Sequence, residues 1–222
     1  AFSGLYLMFL CKKHKRFSQL RFEQDTVGAR FVRLPLAVLL LLAVVVLFVS
    51  EGAEAIDPEW SYTTGDEVQT VAVSADGEYI AAGSNDNKVY LFDKDSSTPL
   101  WSHTTGDYVW SLAISADGEY IVAGSGDDEV YLFDKDSSTP LWSYTAGGTV
   151  RDVSISADGE YIVSCSGDEK VSLFHRTSST PLWTYTVDGS FASPSRSCEL
   201  SANGEYIAVG NMEDDNRVYL FD

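Results

Sequence analysis

The chain has 222 residues with 33 Asp and Glu against 15 Lys and Arg, a formal net charge of −18. That sign excludes nucleic acid as a partner, because phosphate binding needs a surplus of lysine and arginine. Most of the acidity lies in residues 56–222, with 8 Lys and Arg against 29 Asp and Glu, which suits solubility or the binding of cations or a cationic polymer.

Residues 1–33 form a basic segment, with Lys12, Lys13, Lys15, Arg16, Arg21, Arg30 and Arg33 ahead of an apolar run. The first ten residues are apolar but too short to span a bilayer. From Leu34 to Ser50 only Pro35 and Ser50 interrupt aliphatic residues and Phe. As a helix this run would measure about 26 Å, a little short of the hydrocarbon core, yet long for the apolar region of a signal peptide. Both a transmembrane helix and a signal-peptide region remain open, and Ala53-Glu54-Ala55 offers a cleavage pattern. Basic residues before the run and Glu51, Glu54, Asp57 and Glu59 after it place the chain beyond residue 50 outside the cytoplasm, membrane-anchored or secreted, with residues 1–33 inside. Residues 51–58 read as a linker.

From residue 59 to 222 a 41-residue unit recurs, marked by Trp60, Trp101, Trp142 and Trp183. A period of this length signals a propeller or solenoid. Each copy holds four short apolar runs rich in Val, Ile, Tyr, Phe and Trp, separated by Gly, Asp, Asn, Ser and Pro, so each predicts four strands. Asp76-Gly77, Asp117-Gly118 and Asp158-Gly159 predict tight turns with positive φ. Val89 and Leu91 alternate with Tyr90 and Phe92, so neither face of that strand, taken as an outer-type strand, suits water. The expected fold is all-β, a β-propeller of four-stranded antiparallel blades preceded by one hydrophobic helix. Four repeats are visible, and they predict a fragment of a larger ring. The strand around Trp60 is expected to pair with the last blade and close it.

Gly83-Ser84-Asn85-Asp86 with Phe92-Asp93 resembles the Gly-Ser-x-Asp turn and closing aromatic-Asp pair of the WD-repeat family. The departures are Phe in place of Trp in that pair and His175 where Asp should close the third copy. The stretch LFDKDSSTPLWSY also resembles the quinoprotein (PQQ)-type propeller repeat. The first resemblance implies a scaffold that binds other molecules. The second implies an oxidoreductase with a cofactor and Ca²⁺ in the axial channel.

Antiparallel strands exit on alternate sides, so the loop leading into the innermost strand and the loop between the second and third strands should open on one face. Both insertions of the fourth copy, around Val187–Arg196 and Asn211–Arg217, fall there. Ala-Asp-Gly-Glu and Asp-Lys-Asp-Ser-Ser, which barely vary, fall on the other. Loops that depart from their own repeat are where function is grafted. Gln69, Trp110, Arg151 and Arg196 occupy equivalent positions at the mouth of the innermost strands. Trp and Arg dominate binding hot spots, so these four are the candidate binding residues, for a protein or glycan ligand.

Asp86, Asp127, Asp128, Asp168, Asp214 and Asp215 lie in the second loop and are expected to bond their own backbone. Asp93-Lys94-Asp95-Ser96-Ser97 has the alternating oxygens of a calcium loop without its central Gly or distant Glu. No cofactor is expected, Ca²⁺ being the one candidate. His14, His103 and His175 have no triad partners and read as solvated residues. Cys165 and Cys198 read as buried free thiols, and no metal-ligand spacing appears. The favoured expectation is a noncatalytic extracytoplasmic scaffold, and the alternative is the quinoprotein-type enzyme.

Overall fold

The computed structural model describes residues 57–187, 197–210 and 217–222. The chain divides into two units, Ala1–Asp57 and Pro58–Asp222, and every described strand belongs to the second. The basic segment and the apolar run of residues 34–50 lie outside the described residues. Among the described residues no helix is long and apolar enough to cross a membrane.

Among the described residues fifteen strands form four antiparallel sheets in chain order. The first comprises β1 (Val68–Val73), β2 (Tyr79–Ser84), β3 (Lys88–Asp93) and β4 (Trp101–Thr104). The second comprises β5 (Val109–Ile114), β6 (Tyr120–Ser125), β7 (Glu129–Asp134) and β8 (Trp142–Thr145). The third comprises β9 (Val150–Ile155), β10 (Tyr161–Ser166), β11 (Lys170–His175) and β12 (Trp183–Thr186). The fourth has three described strands, β13 (Ser197–Leu200), β14 (Ile207–Gly210) and β15 (Val218–Phe221). Each sheet is a meander whose strands pair in sequence order, the blade arrangement of a β-propeller.

Two expectations about strand order need correction. The Val-x-Leu-Phe strands β3, β7 and β11 are third in their sheets, and the Trp-bearing strands β4, β8 and β12 are outermost. Both strand types are short and rich in large apolar residues, so composition does not rank them. The Trp60 segment is not a strand and does not pair with β15. Trp60 nonetheless docks on the first blade, stacking on Phe92 at 5.4 Å and donating from Nε1 to the Lys94 carbonyl at 2.6 Å.

The core lies between blades rather than within them. Ala81, Val89 and Leu91 of the first blade share one cluster with Val109, Leu112, Ile121, Ala123 and Phe133 of the second. Val122, Val130 and Leu132 meet Val150, Val153, Ile155, Ile162 and Phe174 of the third. Val163, Cys165 and Val171 meet Cys198, Leu200, Ile207 and Val209 of the fourth. Alternation along each strand thus feeds two neighbours, and both faces of the inner blades are buried. Both described cysteines are buried free thiols, and burial, with Cys165 beside it, pushes the Cys198 thiol well up. A thiol held protonated in this way is a packing group rather than a nucleophile.

The Asp-Gly turn is wider than a two-residue hairpin. Gly77, Gly118, Gly159 and Gly204 take φ of 70–76°, whereas the preceding Asp, or Asn203 in the fourth copy, serves as an acceptor. Asp76 Oδ1 accepts from Ser74 Oγ at 2.6 Å and from Glu78 N at 3.0 Å, and Ser74 Oγ accepts from Tyr79 N.

Gly124 marks a tight joint between the second and third blades. A Cβ there would lie 2.6 Å from Val150 Cγ1 and 3.2 Å from Val150 Cβ. Gly124→Ala is therefore expected to cost about 1–3 kcal/mol through overpacking, measured by urea unfolding. A neutral result would mean that the second and third blades separate more easily than their contact implies.

Candidate interaction surface

The loop leading into each inner strand and the loop between the second and third strands meet on one face, as strand alternation requires. Gly65 N donates to Asp86 Oδ2 at 2.7 Å, and Gly106 N donates to Asp127 Oδ2 at 2.5 Å. The same oxygens accept from Tyr90 and Tyr131 hydroxyls at 2.5 and 2.7 Å. These aspartates do more than close their own turns, since each ties two loops to the third strand. Burial and the carboxylate acceptor push both tyrosine hydroxyls well up, so they remain donors. Asp168 likewise faces the Gly147 backbone N–H, and, with Ser172 where the tyrosine stands in β3 and β7, it is bonded by Ser166 Oγ and by Lys170 Nζ at 2.7 Å. Asp214 and Asp215 lie outside the described residues.

Burial raises the Asp168 carboxyl, but its bonds from Lys170 and Ser166 outweigh this and hold it below the usual carboxylate range. A carboxyl depressed in the folded state adds stability that is present above its unfolded value near ~3.9 and is lost as pH falls through the folded value. Asp168→Asn is expected to flatten the acid limb of the stability curve below about pH 4. Thermal unfolding midpoints across that range measure it, and an unchanged acid limb would contradict the assignment.

Of the four candidate binding residues, the structure brings Trp110 and Arg151 together. The Arg151 guanidinium sits 4.8 Å from the Trp110 ring centre, across the joint between β5 and β9. Tyr108, exposed in the preceding loop, meets Trp110 edge-on at 6.1 Å. Arg151 Nε is buried without a hydrogen-bond partner. Gln69 stands exposed on β1, and Arg196 lies outside the described residues. Tyr108 is absent from the sequence-derived candidates, although its position holds Glu67 and Thr149 in the neighbouring copies, and that departure is a readable signal.

Beneath this face Asp152 joins three blades. Its Oδ1 accepts from Ser111 Oγ at 2.7 Å and its Oδ2 from Cys198 N at 2.8 Å. Ser111 Oγ in turn accepts from Val153 N at 3.2 Å, and Ser154 Oγ from Leu200 N at 3.1 Å. A polar side chain on one inner strand thus satisfies a backbone N–H on the next. Asp152→Ala strands the Cys198 N–H and is expected to cost about 1–3 kcal/mol in unfolding free energy. Asp152→Asn, which keeps an acceptor oxygen, should recover part of it. Burial and the Asp152 charge push the nearby Glu199 carboxyl up.

The remaining candidates are engaged in local structure. Asp93 Oδ1 accepts from Asp95 N at 2.8 Å and Asp134 Oδ1 from Asp136 N at 2.9 Å, which makes the calcium-like stretch a self-bonded turn. Among the described residues no three His, Cys, Asp or Glu are grouped to hold a metal ion. His103 is not solvated as expected: it is half-buried against Tyr131 and Phe133 at 5.5 and 5.0 Å, with Nδ1 2.8 Å from the Ser138 carbonyl. His175 is also half-buried, edge-on to Tyr161 with Nδ1 2.8 Å from Thr177 Oγ1. An open cavity of about 400 Å³ lies between the second and third blades, lined by Tyr120, Leu141, Trp142, Arg176 and Thr177.

Two family models match. The WD domain, G-beta repeat model covers residues 58–93, and the PQQ_2 model, described as outer membrane protein assembly factor BamB, covers residues 85–222. Among curated proteins no sequence matches the chain. The second model spans well over half of the sequence and runs through the blades described above, and the chain belongs to the PQQ_2 family of β-propeller repeats.

Proposed function

We propose that this propeller is a noncatalytic scaffold outside the cytoplasm, anchored by its apolar segment or secreted after cleavage, whose variable-loop face binds a protein or glycan ligand. One observation carries the reading. Tyr108, Trp110 and Arg151 form an aromatic–guanidinium cluster at the mouth of two adjacent inner strands, with a buried Arg151 Nε that has no internal acceptor. Rigid aromatics beside a guanidinium are the composition of binding hot spots. WD and BamB-type repeats generally mediate protein interactions, which favours a protein ligand. The negative field of the propeller favours a partner with a basic surface.

A quinone cofactor with Ca²⁺ would need a cluster of unlike polar groups and metal donors along the inner strands. The inner-strand groups Ser111, Asp152 and Ser154 are committed to neighbouring backbone N–H groups. The described residues therefore do not fit that group.

Affinity capture from a membrane extract of the source cells, with the natural chain beside a Trp110→Ala, Arg151→Ala double variant, tests the reading. The natural chain should retain a partner that the variant loses, while both unfold at the same temperature. Equal capture by the two would place the binding surface elsewhere.

A further inference from the structure

The turn that follows β3, β7 and β11 carries a cation at the same place each time, Lys94, Lys135 and Arg176. The backbone carbonyl of each accepts from an indole N–H, that of Trp60, Trp101 and Trp142, at 2.6, 2.7 and 2.7 Å. Both lysines are neutralised where they stand. Lys94 pairs with Asp95 at 2.8 Å and Glu78 at 3.4 Å, and Lys135 with Asp136 at 2.9 Å and Glu119 at 3.6 Å.

The third copy reverses the sign of this turn. Asp-Lys-Asp at 93–95 and 134–136 has one Lys against two Asp, a formal charge of −1, whereas His175-Arg176-Thr177 has +1 with His neutral. Thr177 replaces the neighbouring acid, and its Oγ1 lies 2.8 Å from His175 Nδ1. Glu160, the counterpart of Glu78 and Glu119, accepts from Arg176 N through its backbone carbonyl at 2.9 Å but makes no ion pair with the side chain. The guanidinium turns instead to the preceding blade, 4.9 Å from the centre of the Tyr120 ring. Asp158 in the adjoining turn feels its charge, yet that carboxylate is already bonded by Ser156 Oγ at 2.6 Å and Glu160 N at 3.0 Å. Among the described residues Arg176 thus has no carboxylate partner. Stacking on Tyr120 occupies the face of the guanidinium and leaves its N–H edge for hydrogen bonds.

This half-buried cation borders the open cavity of about 400 Å³ between the second and third blades, at the small end of the roughly 300–1,000 Å³ of ligand pockets. Tyr120, Leu141 and Trp142 supply aromatic and aliphatic walls. The Trp142 N–H is committed to the Arg176 carbonyl, so its indole has ring surface alone to offer.

We propose that the cavity binds a small aromatic carboxylate, with its carboxylate bidentate on the Arg176 guanidinium and its ring against Trp142 and Leu141. The fork of a guanidinium matches a carboxylate in geometry, and one positive charge balances one negative charge. A phosphate dianion would stay half-neutralised in a chain whose net charge is −18. The cavity lies beside the repeated turns, so this inference stands apart from the Trp110 and Arg151 face.

The test titrates benzoate into the full chain in detergent and follows the indole N–H resonance of Trp142, assigned by its loss in Trp142→Phe. Saturation is expected at millimolar benzoate, the scale for a ligand of this size. Benzamide, the neutral analogue, should bind about tenfold more weakly or worse. Arg176→Gln should weaken benzoate by a similar factor. Thr177→Asp should do the same while leaving the cation in place, because it restores the acid that pairs with Lys135 in the neighbouring turn, and it carries the test if Arg176→Gln does not fold. Lys135→Gln should leave the affinity unchanged. No saturable shift, equal binding of benzamide, natural affinity in a folded Arg176→Gln or in Thr177→Asp, or an equal loss in Lys135→Gln would each overturn the proposal.

Discussion

Phe133→Ala is expected to lower the unfolding free energy by about 3–5 kcal/mol, the range for truncating a large buried aromatic. Phe133 is fully buried, and its ring meets Trp101 at 5.3 Å, His103 at 5.0 Å and Tyr131 at 6.1 Å. Two of these neighbours, Trp101 and His103, come from the outer strand of the first blade, so the hole would open at the joint between two sheets. Backbone ladders on both sides limit how far the joint can collapse, which puts the cost in the upper part of the range. Urea unfolding with the slope compared between variants measures it. A loss under about 1 kcal/mol would show that the blades do not depend on that joint.

Trp142→Ala is expected to cost about 3–5 kcal/mol as well, but from two separable sources. The indole lies tilted against Phe174 at 5.5 Å and donates to the Arg176 carbonyl at 2.7 Å. Trp142→Phe keeps much of the ring contact and removes only the donor, so it should cost about 1 kcal/mol beyond the loss of ring size. If both variants cost the same, the hydrogen bond rather than the aromatic contact holds the outer strand. If Trp142→Phe is neutral, the carbonyl is satisfied by water at the open cavity beside it.

Much of this architecture is readable in the residues. The Trp spacing fixes the blade length, and the Asp-Gly pairs mark the turn between the first two strands of the first three blades. The exchange of apolar faces between neighbours stems from strands that lack a polar side. Strand rank is not readable, because β3 and β4 types are equally apolar and only the hydrogen-bond ladder orders them. Nor does the repeat disclose that Asp86 and Asp127 reach across to the leading loop, since an aspartate in a turn satisfies local rules equally well. His103 is similar, since its burial comes from the Tyr131 and Phe133 rings of the next blade. At the candidate surface, Trp110 and Arg151 are recognisable as departures from the repeat, and their stacking is a product of blade spacing. Tyr108 and Asp152 are legible by the same criterion but stand out less, because one lies in a loop and the other among small polar counterparts.

The most direct measurement of the functional account is partner cross-linking from two defined points on the propeller. A photoreactive side chain placed at Tyr108 lies on the variable-loop face, and one placed at Glu119 lies on the opposite face, in the turn between β5 and β6. Capture from position 108 with none from position 119 is the predicted result. Capture from position 119 alone would contradict the account and assign binding to the repeated turns.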